Sequence, residues 1–228
     1  MHIGSKTTLA TRAGAAIAAA LLAGSANAAV FITSYPGAPD PGPLKGETRI
    51  ITFNSGALPA GVTITGDYGI VTGSKTNFYG APAGDLTPYL TAPKAKQPGP
   101  ATMNFAKFLN NNDVNHFSFY WGSIDTFNSI QLLNRKGGVI ATVSGATFPP
   151  AAGSLKLASQ NRRAEFTLTG ADRQLGGIRL NSKSFALESD TYAFAAVPEP
   201  SAWGLMLTGF AGMGMTLRAQ RARRALAA

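Results

Sequence analysis

Residues 119–128, Phe-Tyr-Trp-Gly-Ser-Ile-Asp-Thr-Phe-Asn, contain the densest group of side chains that could bind a ligand. An aromatic ring there could stack on a sugar, and the polar groups after it could hold the sugar's hydroxyls. The candidates for such a ligand site are Tyr120, Trp121, Asp125 and Asn128. A structural alternative is favoured by the alternation of Phe117, Phe119 and Trp121 on one strand face, which is typical of a buried face. The polar residues would then cap a tight turn through bonds to the backbone.

Catalytic chemistry is harder to assemble from this chain. Outside the first 28 residues the only histidine is His116, and no Gly-x-Ser-x-Gly motif places a serine nucleophile. Two carboxylates across a cleft could hydrolyse a glycoside, but no spacing singles out a pair. The sequence therefore predicts that the protein is not an enzyme and has no cofactor.

A calcium site is the other chemistry to consider. Its candidate oxygen ligands are Asp113, Asp125, Glu188 and Asp190. The Asp-x-Asp-x-Asp-Gly loop is absent from the sequence, and a zinc site lacks ligands because the chain has no cysteine and His116 is the one histidine after residue 28. We therefore predict no metal site.

Net charge and cysteine content narrow the function classes further. The chain has 20 basic and 11 acidic residues, and no cysteine. Two basic residues lie in the first 28 positions, and four basic residues and one acidic residue lie after position 197. The remaining body has 14 basic and 10 acidic residues, a net charge of about +4. This balance argues against nucleic-acid binding, although a weak positive field could favour an anionic polysaccharide. Disulfides cannot stabilise the body.

The body alternates short β-prone runs with turn residues. Its 26 glycines and 14 prolines, counted over the whole chain, separate segments rich in Thr, Ile, Val, Phe and Tyr. We predict an all-β fold, a single jelly-roll-like β-sandwich of ten to twelve strands over residues 48–196. Residues 29–47 are proline-rich and are predicted to form an extended leader outside the sheets. Glycines predict a hairpin at 134–138 and a possible tight turn at 66–67, while 101–108 could be strand or helix.

The first 28 residues have the three parts of a secretory signal peptide. Lys6 and Arg12 precede an apolar run at 13–22, and a small-x-small site ends the segment. Its cleavage residues would be Ala26, Ala28 and Ala29, with the cut after Ala28. The apolar run is too short to span a membrane. We therefore expect export, with the export machinery and signal peptidase as partners.

The last segment, residues 197–228, reads as a membrane anchor. Pro-Glu-Pro at 198–200 stops regular structure, and an uncharged run at about 201–217 is long enough for a short transmembrane helix. Trp203 suits one membrane interface, and the arginines after Leu217 suit the cytoplasmic side.

Pro-Glu-Pro followed by tryptophan, a short apolar helix and an arginine cluster resembles the PEP-CTERM sorting tail in its PEPxxW form. The matching residues are Pro198, Glu199, Pro200, Trp203, Arg218, Arg221, Arg223 and Arg224. The resemblance implies recognition by an exosortase, a membrane-embedded cysteine protease of Gram-negative bacteria that make extracellular polysaccharide. Residues 119–128 also resemble a Tyr-Trp-Gly-Ser-x-Asp-Thr-Tyr-Asn segment of such surface proteins, with Phe127 in place of Tyr. Residues 185–190 resemble a second segment, Phe-Glu-x-Asp-Asn, with Glu188 displaced and Thr191 replacing Asn.

These features predict an exported, non-catalytic protein of the cell surface or exopolysaccharide matrix, held transiently in the inner membrane before sorting. The alternative is a carbohydrate-binding, lectin-like module with its site near residues 121–128. A buried Trp121 favours the first interpretation, and an exposed Trp121 or Tyr120 beside a groove favours the second.

Overall fold

The fold was analysed in a computed structural model that describes residues 29–95, 99–153, 158–197, 204, 206–214 and 218. The predicted signal peptide lies outside these residues, including Ala26 and Ala28. So do the motif at 198–200, Trp203 and the arginines at 221, 223 and 224. Residues 206–214 are helical, and Arg218 is exposed. Within the described part of the chain, no helix is both long and apolar enough to cross a membrane.

Twelve strands form two antiparallel sheets, which confirms the all-β prediction. The strands are β1 (Ala29–Pro36), β2 (Arg49–Ile51), β3 (Thr63–Gly66), β4 (Gly69–Val71), β5 (Tyr89–Ala92), β6 (Gly99–Asn104), β7 (Asp113–Gly122), β8 (Asn128–Asn134), β9 (Val139–Ser144), β10 (Arg162–Thr169), β11 (Leu175–Ser182) and β12 (Leu187–Val197). The first sheet has the order β1-β10-β7-β12-β5-β4, with β2 paired to β12. The second has the order β3-β6-β11-β8-β9. Three short 3₁₀ helices lie at Gly145–Thr147, Ala158–Gln160 and Gly170–Arg173.

An aromatic cluster contributed by the first sheet dominates the core. Phe117, Phe119 and Trp121 are all fully buried, as the period-two pattern of β7 predicts. The ring of Phe117 lies 5.6 Å from that of Phe166 on β10 and 5.0 Å from that of Phe194 on β12. Burying large aromatic rings is a major apolar contribution to folding, and it joins the three central strands of this sheet.

The predicted leader is wrong for its first eight residues, because β1 is a full strand of the first sheet. Its pairing with β10 runs without a break from Ala29 opposite Thr169 to Pro36 opposite Arg162. Proline is tolerated because β1 is an edge strand and Pro36 is its last residue. The next residue, Gly37, donates its N–H to Asn161 O at 3.0 Å. Because only alternate residues of an antiparallel edge strand turn their N–H groups towards the partner strand, Pro36 does not need to donate a hydrogen bond to β10.

The remaining leader residues cover the outer face of the first sheet through a buried polar network. Arg163 is fully buried, and its guanidinium donates to Ser118 Oγ at 3.0 Å and to Asp40 Oδ1 at 3.1 Å. Glu47 accepts a bond from Ser118 Oγ at 2.8 Å and lies 3.0 Å from His116 Nδ1. The bond to Glu47 raises the pKa of His116. The network satisfies the buried charges and fixes the segment that contains Asp40 and Glu47.

The two predicted turns join their strands differently. The hairpin at 134–138 is confirmed, since β8 pairs with β9 and Asn134 N–H donates to Gly138 O at 2.8 Å. The tight turn predicted at 66–67 does not join a hairpin, because β3 pairs with β6 in one sheet and β4 with β5 in the other. Gly66 has a φ of +97°, and a Cβ there would lie 2.3 Å from Pro100 O. Glycine at this position permits a sheet-to-sheet crossing. Of the ambiguous range 101–108, residues 101–104 belong to strand β6, and residues 106–108 form a turn.

Candidate functional site

The two aromatic residues predicted for sugar stacking are both inaccessible. Trp121 and Tyr120 have no exposed surface. The Trp121 ring packs 5.8 Å from Phe119 and 6.0 Å from Phe148 in the core. The hydroxyl of Tyr120 donates to Gly37 O at 2.8 Å on the outer side of the sheet. Neither ring can stack on a ligand, and a buried Trp121 is the outcome that favours a structural role for this residue.

Asn128 also has a structural position. It is buried at the start of β8, and its N–H donates to Asp125 O at 3.1 Å, which closes the turn after β7. Its side-chain oxygen lies 3.4 Å from Ser182 Oγ on the neighbouring strand. The turn is thus closed by a backbone bond, and neither of these contacts is the side-chain-to-backbone bond that the capping prediction requires.

Asp125, which was predicted both for sugar binding and as a calcium ligand, lines a cavity together with Glu188, a second calcium candidate. The cavity has a volume of about 410 Å³ and lies where four regions of the chain meet. These are the loop at 74–80 between β4 and β5, the turn after β7, Gly153 between β9 and β10, and residues 185–188 at the start of β12. The side chains most important to its chemistry are Lys75, Phe78, Ser123, Asp125, Phe185 and Glu188.

Glu188 links three of the four regions of the cavity. Its Oε1 accepts a bond from Gly80 N–H at 2.9 Å, and its Oε2 lies 2.6 Å from Ser123 Oγ. The residue is only 3% exposed, and burial raises its pKa to about 8. Glu188 is therefore mostly uncharged at neutral pH, and the part of the cavity that it lines has little negative charge.

Ser123 is held by its backbone as well as by its hydroxyl. Its φ is +38°, a conformation unusual for a residue with a side chain, and its N–H donates to Asn161 Oδ1 at 3.1 Å. Ala83 N–H donates to the same oxygen at 3.0 Å. These bonds position the Ser123 hydroxyl against Glu188, so that its hydrogen-bonding capacity is used within the fold.

Asp125 lies in a cradle made by two glycines. A Cβ at Gly153 would come within 2.4 Å of Asp125 Oδ1, and Gly153 has a φ of +67°. A Cβ at Gly145 would come within 2.0 Å of Asp125 O. Glycine is required at both places because a side chain would collide with Asp125. Burial raises the pKa of Asp125, and no described residue donates a hydrogen bond to its carboxylate.

Aromatic rings supply the apolar walls. Phe185 is 43% exposed, although residues 186–190 that follow it are buried. Phe78 is half-buried, and the Lys75 ammonium lies 4.2 Å from the centre of its ring. The cavity thus combines ring faces, a cation at the loop and a half-buried carboxylate.

The arrangement does not assemble the catalytic or metal sets considered from the sequence. His116 lies seven residues before Ser123, about 20 Å along β7, and contacts Glu47 instead. Asp113 pairs with Arg135, while Asp190 is buried and is not one of the residues that line the cavity. Within the described ranges, no group of three or more histidine, aspartate or glutamate side chains could hold a metal ion.

Comparison with known proteins does not add an assignment. No protein-family model, curated protein or solved structure matches this chain. Its function therefore has to be inferred from its own residues.

Sequence reasoning missed most of the residues that form the cavity. Nothing in the composition of residues 73–87 points to Lys75 or Phe78. Phe185 lies in a segment noted for its family resemblance, but its exposure depends on how that segment meets the 74–80 loop. One link is the bond from Ala186 N–H to Phe78 O at 3.4 Å.

Proposed function

We propose that this protein is an exported, non-catalytic component of the cell surface or the exopolysaccharide matrix, delivered through its C-terminal sorting tail. The observation that carries the proposal is the order of features in that tail: Pro-Glu-Pro at 198–200, Trp203, an uncharged run and an arginine cluster. The proline motif stops β structure, the uncharged run suits a bilayer, and the arginines favour the cytoplasmic side. A generic anchor has no need of the proline motif.

The tail and the signal peptide imply a route. The signal peptide directs export and is removed by signal peptidase after Ala28. The run at about 201–217 then holds the protein in the inner membrane of a Gram-negative cell until an exosortase-type protease acts near residues 198–200. The mature body reaches the cell surface or matrix.

Both proposed cleavage sites are compatible with the pairing of the described residues. Ala29, the residue after the proposed signal-peptide cut, pairs with Thr169, and Val197, the residue before Pro198, pairs with Asp113. Cleavage at the two sites would leave these pairings in place. We further propose that the sheets form a jelly-roll-type sandwich that serves as the cargo.

A non-catalytic role is supported by the use of the polar groups. The only body histidine is bonded to Glu47, Arg163 is enclosed by its partners, and Ser123 is bonded to Glu188. These groups stabilise the fold, and their geometry does not present a nucleophile with a free base.

The sorting motif can be tested in the protein's own host by replacing Pro198, Glu199 and Pro200 with alanine in the full-length chain. We expect the variant to accumulate in the inner membrane with its C-terminus intact, while the parent protein reaches the outer surface or matrix. The matched control changes two exposed prolines of the body, Pro41 and Pro43, to alanine. Equal surface delivery of the motif variant and the parent protein would refute the proposal.

A further inference from the structure

The size and position of the cavity suit a small ligand. Its volume of about 410 Å³ lies in the range of about 300–1,000 Å³ that is usual for small-molecule sites. Its lining comes from loops and strand ends, so a ligand would not disturb the core between the sheets. Loops placed by a rigid β scaffold are frequent carriers of binding sites.

The polar chemistry of the cavity calls for hydrogen-bond donors from outside. Asp125 is acceptor-only when ionised, with two oxygens, and receives no hydrogen bond from any described residue. Gly153 packs directly on this carboxylate, which limits the directions in which it can turn. A purely apolar ligand would remove water from Asp125 without replacing its hydrogen bonds.

The charge balance argues for a ligand without net charge. Asp125 disfavours an anion, and Lys75 at the loop disfavours a cation. Glu188 adds little charge at neutral pH, because its burial raises its pKa to about 8 even though the hydrogen bonds from Ser123 and Gly80 act in the opposite direction. A bound metal ion is not supported either, since the described residues lack a suitable ligand set.

The aromatic walls require that the ligand also have an apolar face. Phe185 presents a partly exposed ring at the cavity, and the half-buried Phe78 ring lines it through the loop. A pyranose sugar meets both demands, because it has hydroxyl donors around its rim and C–H groups on its faces.

We propose that this cavity binds a neutral pyranose unit of a carbohydrate. Two hydroxyl groups of the sugar donate to the Asp125 carboxylate, and a C–H face of the ring contacts Phe185. The site lies beside the buried Trp121 and does not use its ring. The proposal gives the β domain a ligand class, and it holds whether or not the C-terminal tail is processed.

The test is saturation-transfer NMR on the full-length protein in a detergent that contains no sugar. The probes are the methyl glycosides of glucose, galactose, mannose and N-acetylglucosamine. We expect transfer to at least one of them. Asp125→Asn should weaken its binding about tenfold or more, since charged hydrogen bonds are lost, and Phe185→Ala should weaken it about twofold to tenfold.

Phe31→Ala is the matched control, because it also removes an exposed ring but lies on β1 at the level of His116, far from the cavity. This variant should bind like the parent protein. Absence of transfer to all four probes would overturn the proposal, as would unchanged binding by both cavity variants. If Asp125→Asn fails to fold, the exposed position of Phe185 makes Phe185→Ala the deciding variant.

Discussion

Glu188→Gln should remove a pH dependence from the free energy of unfolding, with little effect on that free energy at pH 4. The substitution keeps the size of the side chain and an acceptor for Gly80 N–H, whose bond to Oε1 is 2.9 Å long. It also keeps a polar group beside Ser123 Oγ, 2.6 Å from Oε2 in the parent protein. It removes the ionisable group that burial holds in its protonated form.

The sign follows from the direction of the pKa shift. Burial raises the pKa of Glu188 from 4.5 to about 8, so the folded protein binds a proton that the unfolded chain has released within this interval. The free energy of unfolding therefore falls as pH rises from about 4.5 to 8. The full interval corresponds to about 5 kcal/mol at most, from about 1.4 kcal/mol for each pH unit. This contribution is fully present below pH 4.5 and lost above pH 8.

The assay is urea denaturation of both proteins at several pH values between 4 and 9. Asp190, whose pKa burial raises to about 7, and His116 contribute slopes of their own in both proteins. The difference between the two curves isolates Glu188. We expect the variant to be no more stable than the parent at pH 4 and to become more stable relative to it, by several kcal/mol, as pH rises to 9. Parallel curves would refute the assignment of a protonated, buried Glu188.

Three further substitutions test the fold, each by urea or thermal denaturation. Trp121→Ala should destabilise the protein by about 3–5 kcal/mol because it empties a fully buried site, and a loss below about 1 kcal/mol would contradict the core position. Gly145→Ala should destabilise the protein by about 1–3 kcal/mol or more, because the added Cβ would collide with Asp125 O. Gly99→Ala is the control and should be tolerated, because its Cβ would contact no other atom. Equal effects of the two variants would contradict the close packing of Gly145 on Asp125. Arg163→Met should cost about 3–5 kcal/mol because it takes the buried guanidinium away from Asp40 and Glu47, and a neutral effect would contradict the network.

Local patterns predicted the parts of the fold that depend on local rules. The alternation of Phe117, Phe119 and Trp121 predicted the buried face of β7, and the glycines at 137–138 predicted the β8–β9 hairpin. Both depend on neighbouring residues alone, namely the period of a strand and the positive φ of Gly137, which is +84°. The all-β fold followed from many such local patterns.

Long-range pairing could not be predicted in the same way. Strand β1 was missed because the prolines after Pro36 dominate the composition of 29–47, while its partner β10 lies more than a hundred residues later. The turn at Gly66 was misread because its two strands belong to different sheets. Nothing within either segment identifies the distant partner that decides the outcome.

The candidate cavity shows the same limit. Asp125 was among the predicted ligand residues, but its companions on the loop at 74–80 and at Phe185 come from other parts of the chain. The bond between Gly80 and Glu188 spans 108 residues. Conversely, Tyr120 and Trp121 were predicted to stack on a sugar because the sequence shows that their side chains are aromatic. Whether those rings are exposed depends on the opposing sheet and on the covering loops, which the sequence does not show.

The most direct test of the proposed sorting is intact-mass and C-terminal peptide analysis of the protein recovered from outer-membrane and matrix fractions of its own host. The proposed function predicts a mature chain that begins at Ala29 and ends near residues 198–200. A protein found only in the inner membrane, with its C-terminus intact at Ala228, would contradict it.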